Sequence, residues 1–145
     1  MNRINEIKLI YQNKSRNATK ITSSEMAYKV FLENWDTDII ELQEEFKVLF
    51  LNRANKVLGI YHMSKGGVSG TVVDVKLLLA AALKANASGL IVAHNHPSGN
   101  LKPSEQDRTL TKKIKTASNY MDLNFLDHLI IFKDGFYSFS DEGNF

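Results

Sequence analysis

The chain has 145 residues, of which 43% are apolar, so it can bury one hydrophobic core but is too short for two well-formed domains. Its 18 basic and 16 acidic side chains give a formal net charge of only +2, which does not favour an extended surface for binding a polyanion. The absence of cysteine excludes disulfides and thiolate metal sites, so imidazole and carboxylate groups are left as ligands for a transition metal.

No apolar run in the sequence approaches the roughly 18 residues that a membrane-spanning helix needs, and no signal-peptide core follows the first residues. We therefore expect a soluble protein of the cytoplasm with no membrane partner. The lack of cysteine also suits a reducing compartment.

Two short segments precede the main part of the chain. Residues 6–12 combine β-branched and aromatic side chains, which predicts an edge strand, and residues 13–20 form a polar linker. We accordingly expect residues 1–21 to be an N-terminal strand and linker, and residues 22–145 to form the domain. An exposed edge strand of this kind would also allow two copies to pair into a homodimer.

A helix is predicted to begin within residues 22–25, whose sequence Thr-Ser-Ser-Glu is typical of a capped helix start. The residues that follow form an apolar stripe at helical spacing, made by Met26, Ala27, Val30, Phe31 and Trp35. Such a stripe indicates packing against the core and not a cofactor site.

Residues 44–52 predict a strand that becomes almost entirely apolar, which is typical of a central strand buried on both faces. Residues 52–56 then predict a hairpin turn into a second strand over residues 57–63. Glu44 and Glu45 stand at the head of the first of these strands. A metal-dependent hydrolase needs a carboxylate that takes up a proton and passes it on, and either glutamate would serve, although charged residues are also common at strand ends.

Residues 64–70 are rich in glycine and serine and predict a flexible loop that could line a substrate groove. Asp74 is a suitable N-cap for a helix through about Asn86, and apolar side chains extend nearly all round that helix. We expect the helix to be buried against the sheet. It leads directly into an apolar strand over residues 88–93.

The stretch after this strand carries the clearest chemistry in the chain. His94 and His96 lie two residues apart at the end of the strand, so their side chains can point to the same side. Ser104 and Asp107 stand three apart at the start of the next predicted helix and therefore share a face. Two imidazoles and one carboxylate brought together in this way match a catalytic zinc site, with three protein ligands and an open position for water.

Simpler interpretations exist for each half of this stretch. Residues 97–100 favour a turn whatever else they do, and Ser104 with Asp107 also fits a helix cap, with Asp107 near the positive end of the helix dipole. A bare pair of nearby histidines is more often structural than metal-binding. Zinc binding is favoured because all of these residues occur together, in this order and spacing.

The last part of the chain predicts a helix and a closing hairpin. The helix over residues 104–119 has a basic face, which we interpret as solvated and not as a phosphate site. Residues 124–132 predict an apolar strand, followed by a tight turn into a short strand at residues 136–139.

His62, His128 and Asp127 stand apart from the predicted zinc ligands. Because both histidines have apolar neighbours in the sequence, we expect them to be hydrogen-bonded structural residues and not a third imidazole ligand. Asp127 could orient one of the metal-binding histidines by accepting a hydrogen bond from it.

Taken together, these residues resemble a known motif. The run His94-x-His96, seven residues, then Ser104-x-x-Asp107, with a strand that begins at a glutamate about 50 residues earlier, resembles the JAMM motif of the JAB/MPN metallopeptidases. This spacing extends over residues 44–107, so it is far more specific than the histidine pair or the helix cap alone.

The strings over residues 44–51, 94–99, 103–107 and 127–130 are similar to those of the RadC-like branch of this group. The resemblance covers residues 22–145, and the string His-Asn-His-Pro-Ser-Gly at residues 94–99 is its most specific part. It implies an α/β fold, with a mixed β-sheet flanked by helices in the three-layer arrangement that the cytidine deaminases share.

The resemblance also implies roles for individual residues. His94, His96 and Asp107 would be the ligands of one zinc ion per chain. Glu44 would be the general acid and base, preferred to its neighbour because it matches the Glu-x-Phe position of the family. Ser104 would donate a hydrogen bond to the oxyanion of the tetrahedral intermediate, a role whose loss costs on the order of 10²-fold or more in comparable sites.

The implied function is hydrolysis of a peptide or isopeptide bond by a metal-activated water, with a peptide or protein as the partner. A DNA-repair-associated protein that acts on or binds DNA is one alternative, and a non-catalytic scaffold is another. Longer relatives carry a helical DNA-binding module ahead of this domain, for which the chain has no room, so DNA binding is not the expectation. A zinc base deaminase is disfavoured because the chain has no cysteine.

Overall fold

Three helices and five strands lie within the residues that the computed structural model describes, which are 2–8, 10–13, 18–66 and 72–145. In chain order these elements are α1 (Ser24–Glu33), β1 (Glu45–Leu51), β2 (Val57–Lys65), α2 (Val75–Lys84), β3 (Gly89–Asn95), α3 (Glu105–Tyr120), β4 (Asn124–Phe132) and β5 (Gly135–Ser138). The strands form one sheet in the order β2-β1-β3-β4-β5, in which β3 and β4 are parallel and every other pair is antiparallel.

The helices cover both faces of this sheet. On one face, Phe31 of α1 packs in a cluster with strand residues that include Leu49 and Ile91. On the other face, Leu78 of α2 and Ile114 of α3 belong to a second cluster, formed with the strand positions that alternate with the first set. The fold is therefore a three-layer α/β arrangement with a mixed sheet, as the sequence predicts.

The two central strands explain why the sequence reads as continuously apolar in these regions. Every residue of β1 and of β3 is buried, because helices cover the sheet on both sides. This confirms the central strand predicted over residues 44–52. The predicted starts of α1 and α3 are also confirmed, with Ser23 and Ser104 as their N-caps.

The strand predicted over residues 6–12 does not form in the described residues of that range, which are 6–8 and 10–12. Ile7 and Ile10 are 90% and 86% exposed. A strand needs a partner for its backbone donors and acceptors. Just before β2, the edge strand of the sheet, Lys56 forms an isolated bridge with Lys20 and not with the described part of residues 6–12. A β-favouring composition alone is therefore insufficient here.

Helix α2 packs against the sheet as predicted, but only along one side of the helix. Val75, Leu78 and Ala82 are buried, whereas Leu77 and Leu83 are 46% and 52% exposed. A helix in an outer layer places only one stripe against the sheet, so apolar residues elsewhere on its circumference remain in solvent. Asp74 is the N-cap as predicted, but the helix ends at Lys84.

The predicted loop over residues 64–70 begins later than expected, because β2 extends to Lys65. Residues 67–70 of that loop lie outside the described part of the chain, so its predicted role at a substrate groove stays a prediction. Within the described residues, no helix has both the length and the hydropathy that crossing a membrane requires.

Candidate metal centre

The candidate site lies where β3 ends and the first turn of α3 returns to the sheet. His94 occupies the penultimate position of β3, and His96 follows directly after the strand. Their Nε2 atoms are 3.0 Å apart. His94 is 2% exposed, whereas the His96 side chain is 18% exposed, so the pair lies at the boundary between the core and solvent.

Asp107 completes the cluster from the first turn of α3. Its Oδ1 atom is 3.1 Å from His94 Nε2, and its Oδ2 atom is 3.2 Å from His96 Nε2. The three side chains offer ligand atoms that all lie within 4.8 Å of one another. The structure thus brings together the residues that the sequence predicts as ligands.

The chemistry and spacing of these donors fit zinc. Imidazole nitrogen and carboxylate oxygen are the expected ligands in a site without thiolates. Ligand atoms at about 2.0–2.2 Å from a tetrahedral zinc lie roughly 3.3 Å apart, close to the separations of 3.0 to 3.2 Å in this cluster. Three protein donors leave one position for water or substrate.

Two contacts orient the His96 ring and the Asp107 carboxylate. His96 Nδ1 lies 2.6 Å from the carbonyl oxygen of Asn100, which can only accept, so Nδ1 carries a proton. Asp107 Oδ2 accepts a hydrogen bond of 2.8 Å from the backbone N–H of Ser104. Burial by itself would raise the pKa of Asp107, but the neighbouring imidazoles of His94 and His96 and the backbone N–H of Ser104 hold this pKa well below its usual range.

A buried histidine lies behind His94. The Nε2 atom of His128, a residue of β4, is 2.8 Å from His94 Nδ1, and its Nδ1 atom is 2.7 Å from the Thr111 hydroxyl on α3. Burial lowers the pKa of His128 well below its ordinary value, and the neighbouring His94 lowers it further. His128 is therefore a hydrogen-bonded core histidine, as predicted, but its partner is a predicted ligand.

The prediction that Asp127 orients a metal-binding histidine is wrong. Asp127 accepts hydrogen bonds from the backbone N–H groups of His128 and Ser140 and from the Ser138 hydroxyl. Successive strand residues point to opposite faces, so the Asp127 carboxylate lies on the other face of β4 from the His128 ring. It stabilises the turn after β5 instead.

The pairing of β1 with β3 distinguishes Glu44 from Glu45. Phe46 is directly opposite His94 in the antiparallel register, so their side chains share a face of the sheet. Glu44 lies two residues before Phe46, on the same face, and its backbone carbonyl accepts a hydrogen bond from Gly66 N, which continues the ladder with β2. Glu45 points to the opposite face, where its carboxylate lies 3.6 Å from the ammonium group of Lys65.

The electrostatic surroundings of Glu44 also connect it with the cluster. Burial raises the pKa of its carboxyl, which is half-buried, while His94 and His96 act in the opposite direction and Asp107 raises it further. These are the three residues of the candidate metal centre, so Glu44 is electrostatically coupled to the cluster.

Sequence reasoning did not assign a role to Asn95, which lies between the two histidines. Its side chain is completely buried; Oδ1 accepts from the backbone N–H of Glu45 at 2.7 Å, and Nδ2 donates to the carbonyls of Ile40 and Gln43 at 2.8 and 2.9 Å. These bonds attach the segment that carries Glu44 to β3. Strand alternation could have indicated that Asn95 points away from the histidines, but not what it contacts.

Ser104 lies both at the N-cap of α3 and beside the candidate metal centre. As the N-cap of α3, its Oγ atom accepts the backbone N–H of Asp107 at 3.0 Å, in a reciprocal capping box. This contact uses an oxygen lone pair, so the hydroxyl proton remains available to another acceptor. Both interpretations of Ser104, as a helix cap and as a donor beside the cluster, are compatible with this geometry.

The fold and the cluster together define the class of protein. A family model described as the RadC-like JAB domain matches residues 21–144, so the chain belongs to the RadC-like JAB domain family. Hydrolases occur among JAB domains, and the His-His-Asp cluster described above is present in this one.

Similar proteins occur in several bacteria. The chain is 52% identical over 127 residues to a UPF0758 protein of Flavobacterium johnsoniae and 45% identical over 124 residues to one of Porphyromonas gingivalis. These matches cover 87% and 85% of this chain, but 54% and 53% of the relatives. A UPF0758 protein of Thermotoga maritima is 33% identical over 137 residues, which are 94% of this chain and 60% of that protein. The chain thus spans a little over half the length of these curated relatives.

Proposed function

We propose that this domain is a zinc-dependent hydrolase of the JAMM metallopeptidase type, which cleaves a peptide or isopeptide bond in a peptide or protein substrate. The observation that carries the proposal is the convergence of His94 Nε2, His96 Nε2 and the Asp107 carboxylate. Glu44, on the same face of the sheet, adds the second carboxylate that hydrolysis by a metal-activated water requires.

A zinc ion held by the three side chains would supply a water molecule that ionises at about pH 7 and would polarise the scissile carbonyl. Glu44 takes up the proton of the attacking water and donates it to the leaving amine. Burial raises the pKa of Glu44 in the zinc-free protein, and a group that both accepts and returns a proton works best when its pKa lies closer to the operating pH.

Ser104 contributes a hydrogen bond in this proposal. Its exposed side chain stands at the N-terminus of α3, three residues before Asp107, and the capping contact leaves its hydroxyl proton free. The hydroxyl donates to the oxyanion that develops on the substrate carbonyl. Removal of one such donor costs roughly 10² to 10³ in turnover in comparable sites.

The first test measures zinc by elemental analysis in the wild type, His96→Ala and His62→Ala, purified without chelator or a histidine tag. We expect about one zinc per chain in the wild type and none in His96→Ala, because two protein ligands do not hold a catalytic zinc tightly. His62, an exposed residue of β2, is the matched control and should leave the zinc content unchanged. Full zinc retention by His96→Ala would refute this ligand assignment.

The second test compares Glu44→Gln with Glu45→Gln against a panel of peptide and isopeptide substrates. Glu44→Gln should keep its zinc and lose roughly 10² to 10⁴ in turnover, because the amide cannot carry the proton. Glu45→Gln should retain turnover, since Glu45 points to the other face. If no variant and no wild-type sample cleaves any substrate although zinc is bound, the non-catalytic alternative is favoured.

A further inference from the structure

The contacts behind His94 form a continuous chain of hydrogen bonds with one possible direction. The chain runs from His94 Nδ1 to His128 Nε2, from His128 Nδ1 to Thr111 Oγ1, and from Thr111 Oγ1 to the backbone carbonyl of Asp107, over distances of 2.8, 2.7 and 2.8 Å. It begins at one candidate ligand and ends at the backbone of another.

The direction follows from the last link. A carbonyl oxygen can only accept, so the Thr111 hydroxyl proton lies between Oγ1 and Asp107 O. Thr111 has no second proton, and its Oγ1 must therefore accept from His128 Nδ1. The His128 ring is fully buried, and a neutral ring carries one N–H, so its Nε2 atom is an acceptor.

Because His128 Nε2 is an acceptor, it determines which nitrogen of His94 carries the proton. His94 Nδ1 must donate to it, which leaves His94 Nε2, the atom that faces His96 and Asp107, as the position for a metal. The opposite direction would place a proton on His128 Nε2, and His94 would then keep its own proton on Nε2 and could not bind a metal there.

Packing holds the His128 ring in this orientation. Phe139 stacks on it with ring centroids 4.7 Å apart and an interplanar angle of 11°, and Phe46 meets it edge-on at 6.0 Å. Both ring nitrogens of His128 have partners in the observed orientation, whereas a flipped ring would present carbon atoms to His94 Nδ1 and Thr111 Oγ1.

We propose that His128 and Thr111 are positioning residues that set the tautomer of His94 and so prepare its Nε2 atom for the metal. The part of this proposal that concerns zinc affinity rests on the proposed function, whereas the protonation of the two rings does not. Partners of this kind typically contribute 10- to 100-fold to metal affinity.

The first measurement is long-range ¹H–¹⁵N correlation spectroscopy of the imidazole rings in the zinc-free and zinc-loaded wild type. We expect His128 to carry its proton on Nδ1, with Nε2 unprotonated, in both samples. A proton on His128 Nε2 would overturn the inference, and this outcome does not depend on whether the protein hydrolyses anything.

The second measurement is zinc affinity by competition with a chelator. Thr111→Val keeps the shape but removes the hydroxyl that accepts from His128, and it should bind zinc 10- to 100-fold more weakly. Thr111→Ser keeps the hydroxyl, and Thr109→Val changes an exposed threonine of the same helix; both should retain the wild-type affinity. Wild-type affinity in a folded Thr111→Val would overturn the inference.

The two proposals fail in different ways. A wild type that binds zinc but cleaves no substrate refutes hydrolysis and leaves the role of His128 intact. If the wild type binds no zinc, or if Thr111→Val does not fold, the ring protonation in the zinc-free wild type decides the inference.

Discussion

At the scale of single residues, the neutral state of His128 has a consequence for stability. Burial lowers its pKa well below the ordinary value; His94 and His96 add to this effect, and Asp107 opposes it. An unfolded histidine takes up a proton at about pH 6.5, whereas His128 in the folded protein remains neutral at that pH. Below that pH the unfolded state binds more protons than the folded state, so the free energy of unfolding falls as the pH falls. Above that pH the contribution of the neutral His128 to stability is fully present.

We therefore expect the zinc-free wild type to lose up to about 1.4 kcal/mol per pH unit from this group as the pH falls below roughly 6.5. His128→Gln removes the titrating ring, so its stability should depend less steeply on pH, although it is less stable overall. Denaturant unfolding at several pH values, with chelator present, measures both slopes. Parallel slopes for the two proteins would contradict the assignment.

The ligands were predictable from the sequence because they lie close together in it. The relation of His94 to His96 follows from strand alternation, and that of Ser104 to Asp107 follows from helix periodicity, so local rules suffice. The roles of Asn95 and His128 depend on the register of β1 and β4 against β3, which the local sequence does not contain.

At the scale of the elements, the first turn of α3 combines a helix cap with the cluster. Ser104 and Asp107 form a reciprocal capping box, and the same Asp107 carboxylate faces both histidines. The cap therefore fixes the carboxylate with a hydrogen bond from the backbone N–H of Ser104, and folding of the helix start orients a candidate ligand.

Substitutions of Ser104 can separate the cap from the chemistry. Ser104→Ala should lower the free energy of unfolding by about 1 kcal/mol, because the cap is lost, whereas Ser104→Gly should lower it by only about 0.3 kcal/mol. Neither variant has the hydroxyl, so both should lose on the order of 10²-fold in turnover while zinc is retained. Thermal unfolding and substrate cleavage measure the two effects. Normal turnover in Ser104→Gly, which has no side-chain donor, would assign Ser104 to the cap alone.

The elements differ in how well the sequence predicts them. Strands β1 and β3 are covered on both faces, so their apolar composition identifies them directly. The same reasoning fails for residues 6–12, because no neighbouring strand pairs with their described part. For α2 it correctly predicts a helix packed on the sheet, but not which of its apolar residues are exposed. Composition indicates which residues tend to be buried, but the tertiary structure decides which of them are actually buried.

At the scale of the whole molecule, the candidate ligands join two layers. His94 belongs to β3 and His96 follows it directly, whereas Asp107 belongs to a helix packed on the sheet. A ligand that binds only the folded arrangement stabilises that arrangement by mass action. The proposed zinc would therefore act as a cross-link between the sheet and α3.

Removal of the metal should consequently lower the melting temperature. Free zinc at 100 times its dissociation constant adds about 2.7 kcal/mol, which corresponds to roughly 8 to 10 °C for a domain of this size. Differential scanning calorimetry with and without a chelator measures the change. Asp107→Ala, which lacks one ligand, should show almost no response to the chelator. A wild type that melts at the same temperature in both conditions would contradict zinc binding to the folded state.

The parallel strand β4 follows all three candidate ligands in chain order, so it is synthesised after them. A nascent chain that ends before residue 124 already contains His94, His96 and Asp107, but it lacks the His128 ring and leaves β3 with an unpaired hydrophobic edge. Such an edge is prone to pair with other chains. Pairing of β4 with β3 closes this edge and also supplies the hydrogen bond to His94, so one strand pairing both protects the sheet and completes the contact behind the site.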